Sequence, residues 1–140
     1  MTQHSDCIST DGLRFEFNRN GGNITNLVIE RGDGQSVMPL HAAPWTKDQS
    51  RLPDDIDRVE RQLAGDFFCA PFGGHEGLPI HGWTANGSWV PKTSEQITDD
   101  DGSESIPGKT KAITQATYVL EQPVFGAQVT KRFTLVADHP

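Results

Sequence analysis

The sequence predicts an all-β fold, an antiparallel β-sandwich, on three observations. Leu13, Phe15 and Phe17 alternate with Arg14 and Glu16, and Ala127, Val129, Phe133 and Leu135 alternate with Gln128, Thr130, Arg132 and Thr134. A period of two marks half-buried strands. Stretches such as "NRNGGN" (18–23) and "RGDG" (31–34) set residues that tolerate positive φ between those runs. The 140 residues include 14 Gly and 9 Pro, a loop-rich composition unlike that of a helical bundle.

Residues 13–17 give the first strand and "ITNLVIE" (24–30) the second. The Arg-Gly-Asp at 31–33 reads as a hairpin turn rather than an adhesion motif. "QSVMPL" is a short third strand ending at Pro39, so the opening is a β-meander. Residues 41–64 break the pattern. Pro53 stands before Asp54 and Asp55, and Ile56, Val59 and Leu63 share a face ahead of Gly65. Those signals predict a short helix between 54 and 63. The polar stretch 93–105 reads as a solvated hairpin loop. Asp99, Asp101 and Gly102 are similar to part of a calcium loop, but Ile97 and Gly108 would fall at its first and last ligand positions, which excludes that site. Residues 111–122 and 125–138 return to strands, joined by a turn at Pro123 and Gly126. The sequence stops at "ADHP", directly after a strong strand, which reads as the entry to a further one.

A formal net charge of −7 without a basic cluster argues against nucleic acid or an anionic membrane as the partner. No apolar run approaches a membrane span. The first ten residues lack the basic and apolar regions of a signal peptide, so the expected location is cytoplasmic. Cys7 and Cys69 are far apart and outside any CxxC, and they read as free thiols, with Cys69 a small buried hydrophobe.

Residues 65–89, "GDFFCAPFGGHEGLPIHGWTANGSW", differ from everything around them. His75, Glu76 and His81 offer metal ligands, but a spacing of six across Gly77 and Pro79 does not form a zinc helix. No metal is assigned, and a cupin-like metal-binding β-barrel stands as an alternative. Cys69 with a histidine lacks an orienting acid. "FGGHEG" opens no helix that would cradle phosphate. A sugar wants flat aromatic walls and hydrogen-bonding side chains. Phe72, Trp83 and Trp89 are candidate walls, with Asp66, His75, Glu76, His81 and Asn86 as polar partners. The same aromatics suit a core equally well.

The order of features resembles the galactose mutarotase-like superfamily, the aldose 1-epimerases and hexose-phosphate epimerases. The resemblance rests on strands around a glycine turn in "FEFNRNGGNITNLVIERGDG" and on the turn "CAPFGG". It rests further on the His-Gly-aromatic motif "HGWTANGSW", with Trp89 eight residues after His81, and on the paired strands ending in "VTKRFTLVADHP". It covers essentially the whole chain and implies a single β domain, 1–140, corresponding to the N-terminal half of such a sandwich. Many relatives carry arginine where this chain has Ala85, which puts phosphorylated sugars in doubt. The implied activity is sugar binding with interconversion of anomers by acid–base ring opening, without a cofactor. The main acid and base of the family come from strands beyond this chain's end, so the fragment alone is expected to show little activity. His81 is implied as an auxiliary catalytic residue, and His75, His81, Trp83, Trp89, Phe72 and Asp66 as the sugar-binding set. A non-catalytic carbohydrate-binding sandwich is the second reading. Unpaired strand edges imply self-association.

Overall fold

The computed structural model describes residues 4–92 and 113–137. Among these, the chain is mostly β-strand, in two antiparallel sheets with few helices. The first sheet runs in sequence order: β1 (Ser5–Thr10), β2 (Leu13–Asn18), β3 (Ile24–Glu30) and β4 (Ser36–Val37). The second holds β5 (Trp89–Lys92), β6 (Ile113–Leu120) and β7 (Thr130–Val136), also in order. Between them lie a 3-10 turn at Pro44–Thr46 and two short helices, α1 (Arg58–Arg61) and α2 (Gly82–Asn86).

The predicted strands in 13–17, 24–30, 111–122 and 125–138 are present, the second at its predicted bounds and the others with shifted ends. The third predicted strand shrinks to the two residues of β4. Strands β1 and β5 were not predicted. β1 carries only Ile8 as a buried residue, too little for a periodic signal. β5 contains Pro91, which the sheet accepts because β5 lies at an edge. The predicted helix near 54–63 appears as the single turn α1. The segment 99–108, and the loop around it, lie outside the described residues.

The two sheets share one core. Ile8, Phe15 and Phe17 from the first meet Trp89, Tyr118, Leu120 and Leu135 from the second. Phe17 is fully buried and lies at its centre. Its ring centroid is 4.2 Å from Tyr118, 5.2 Å from Phe133 and 6.2 Å from Trp89, the last two edge-on. Edge-on pairs add about 0.5–1.5 kcal/mol beyond the area they bury. Backbone bonds tie the β2–β3 turn to the start of β5: Trp89 N donates to Arg19 O at 2.8 Å and Gly21 N to Gly87 O at 2.9 Å. Gly22, at φ +71°, has its Cα against the Trp89 indole, where a Cβ would overlap the ring.

A polar clasp closes one side of this core. Arg19 grips Asp6 with two bonds, Nε to Oδ2 at 2.7 Å and Nη2 to Oδ1 at 2.6 Å. Tyr118 Oη donates to the same Oδ2 at 2.9 Å. The Arg19 hydrogen bond holds the Asp6 carboxyl below its ordinary range, and burial together with Asp6 pushes the Tyr118 hydroxyl up. Cys7 and Cys69 are free thiols; Cys7 is exposed and Cys69 half-buried, and burial raises the Cys69 thiol. Among the described residues no helix is long and apolar enough to cross a membrane.

Candidate functional site

Gly65 begins the aromatic segment at φ +69°, and a Cβ there would overlap Ile24 O. Only glycine lets the chain pass this close to β3. Asp66 completes the clamp: its N–H donates to Ile24 O, and its Oδ1 accepts from Ile24 N. Beyond this anchor the chain swings out, and Phe67, Phe68 and Phe72 stand exposed.

The His-Gly pair is built by close approach. His81 is left-handed at φ 64°, and Gly82 follows at φ +72°. A Cβ on Gly82 would overlap Ala70 O, so the second position must be glycine for α2 to sit against the 70–73 turn. The Ala70–Pro71 bond is cis. Ala70 N donates to Thr84 Oγ1 at 2.8 Å, locking turn to helix. His81 is held at two points by one residue: its N–H donates to Gly73 O at 2.9 Å, and Gly73 N donates to its Nδ1 at 3.0 Å. An Nδ1 that accepts makes Nε2 the protonated nitrogen of the neutral ring. The imidazole lies 5.1 Å from the Phe72 ring and 5.6 Å from Phe67. Phe72 is 81% exposed, so this is an open platform of aromatic faces with a fixed donor beside it.

The other predicted site residues separate. His75 is exposed, with Nδ1 3.1 Å from Glu76 O, and its ring meets Phe125 at 5.4 Å. Asp66 is exposed and engaged with β3. Trp83 is half-buried against the core. Trp89 is 1% exposed, and its Nε1 donates to Thr84 O, so it is a core residue and not a wall of the open face. Asn86 is a structural clip: Oδ1 accepts from Val59 N, and Nδ2 donates to Ile80 O and Gly82 O, joining α1 to α2. Among the described residues, no three His, Cys, Asp or Glu side chains converge as a metal-binding group.

Lys131 escapes sequence reasoning. It sits on β7 at the inward parity set by Val129, Phe133 and Leu135. A lysine within an apolar alternation was the available signal. Its ammonium donates to Gly22 O and lies 5.6–6.0 Å from the rings of Phe17, Phe68 and Trp89. Asp66 Oδ2 is 4.0 Å away. Burial lowers its basicity, against the opposing pull of Asp66. It ties the second sheet to the first and to the root of the aromatic segment.

Of two cavities, of about 10 Å³ and about 290 Å³, the smaller is lined in part by Phe67, and none of Asp66, Phe72, His75, His81, Trp83 or Trp89 lines either. Comparison with protein-family models, curated proteins and solved structures finds no match for this chain.

Proposed function

We propose that this chain binds a hexose or related sugar on the open face formed by residues 66–81, within a β-sandwich of the galactose mutarotase-like kind. The observation that carries this reading is the fixed His81 imidazole beside the exposed Phe72 ring. A pyranose laid with its C–H face on Phe72 meets a donor, Nε2–H, at the edge of the platform. Interconversion of anomers needs a base on the anomeric hydroxyl and an acid at the ring oxygen. In that reaction His81 takes the donor's part, as an auxiliary to the acid.

Titration with glucose and galactose, followed residue by residue by NMR, tests the reading. Saturable shifts at Phe72 and His81 are the expected result. His81→Ala should weaken binding by roughly 0.5–1.5 kcal/mol, the worth of one neutral hydrogen bond. An unchanged affinity in that variant, or no saturable shift on this face, overturns the proposal. Polarimetry on freshly dissolved α-glucose reads the chemistry separately: faster equilibration that is lost in His81→Ala would make His81 a catalytic residue.

A further inference from the structure

A second concave surface, lined by Gly65 but not by His81 or Phe72, lies against the first sheet. A groove of about 290 Å³ runs between Glu16, Asn18 and Thr25 of the first sheet and the connecting segment that carries His41, Lys47 and Gln49. Its volume is close to the lower bound of small-molecule sites, about 300 Å³. Among the described residues, no Phe, Tyr or Trp lines the groove. Five side-chain amides (Asn18, Asn23, Asn26, Gln49 and Gln62) and three hydroxyls line it. Leu27, Met38 and Leu40 give it apolar patches.

The charge of the lining narrows the ligand. Among the described residues of the lining, Glu16 is the one carboxylate and Lys47 the one ammonium, so they offset each other. A phosphate or polycarboxylate would want a cluster of cations or a bidentate arginine, and the lining offers neither. Asn18, Asn23 and Gln49 direct amide N–H groups to Gln62 Oε1, Ala64 O and Arg61 O, so among the described residues Asn26 and the hydroxyls of Ser5 and Thr25 remain to donate to and accept from a ligand.

The floor of the groove carries an independent sign. Asn23 is 4% exposed, and its Oδ1 has no hydrogen-bond partner, the one such buried side-chain atom among the described residues. Its orientation is set, because Nδ2 donates to Ala64 O at 2.9 Å. Beside it lies the void of about 10 Å³, and Asn23, Gln62 and Ala64 line both void and groove. That void has room for one water, the size of donor that Oδ1 lacks. A buried acceptor without a protein donor therefore lies beside the groove floor.

We propose that this groove binds a neutral polyhydroxylated small molecule, at a site distinct from the His81 face. The proposal does not rest on the mutarotase-like reading. Methyl α-glucoside and myo-inositol serve as probes, because neither can ring-open. The expected result is saturable NMR shifts at Thr25, Gln49 and Gln62. Thr25→Trp, which fills the groove, should weaken binding about tenfold or more as read at Gln49 and Gln62. His41→Trp, at an exposed position of the lining, is the second block should Thr25→Trp unfold. Shifts confined to Phe72 and His81 would overturn the groove and leave the first proposal standing. Tighter binding of glucose 6-phosphate than of methyl α-glucoside, equal binding in both groove variants, or no saturable shift would also overturn it.

Discussion

Phe17 and Phe72 are the same side chain in opposite settings. Phe17 has no exposed surface and three aromatic neighbours in the seam between sheets, whereas Phe72 is 81% exposed beside His81. The difference lies in the backbone. Phe17 stands in a paired strand, where period two drives it inward. Phe72 stands in a turn whose hydrogen bonds run to His81 through Gly73 and to α2 through Ala70. The seam spends aromatic surface on cohesion, and the loop holds it in water at a fixed place. Loops positioned by a rigid scaffold in this way commonly carry function.

The comparison predicts unequal costs of mutation. Trp89→Ala should cost most, about 3–5 kcal/mol, because it removes the largest fully buried side chain of the seam. Urea denaturation of the variant reads this; a loss under about 1 kcal/mol would show that the seam is not the main core. Gly82→Ala comes next. It forces Ala into a left-handed conformation and against Ala70 O. A loss of about 2 kcal/mol or more is expected, with the His81 ring resonances shifted. An unchanged His81 environment would break the link between that glycine and the platform.

The Asp6 clasp gives a smaller, pH-dependent effect. Its carboxyl titrates lower in the folded chain than in the unfolded one, chiefly through Arg19. Its contribution is therefore complete above the ordinary carboxylate pKa of about 3.9 and is lost as pH falls through the depressed folded value. Asp6→Asn should cost about 1–2 kcal/mol at neutral pH and flatten this acid limb, since hydrogen bonds to a charged group are replaced by neutral ones. Stability measured from pH 7 to 2 checks both; an acid limb as steep as the parent's would rule the clasp out. Phe72→Ala should have the least effect on stability, within about 0.5 kcal/mol, yet abolish sugar shifts on the His81 face. A large loss of stability would place Phe72 among the packing residues.

Much of this was legible in the sequence, for a local reason. Alternation at 13–17 and 129–135 states which side chains face a core, because strand geometry alternates them whatever the partner. The glycine-rich turns were legible because positive φ selects for glycine. The His-Gly pair stood out, and its geometry follows from a single close approach at Ala70. Three things depended on the fold. Trp89 was an ambiguous aromatic until the β2–β3 turn bonded to the start of β5 and enclosed it. Lys131 shows only its inward parity in the sequence; Gly22 O and three rings from distant segments surround it in the fold. The polar groove gathers residues from 5 to 65 and has no sequence motif. The sequence by itself determined strand periodicity, turn chemistry and the anchoring glycines, since each acts through its own backbone. Tertiary structure decided which aromatics are core, which are platform and where the polar surface is concave, because burial depends on segments far apart in the chain.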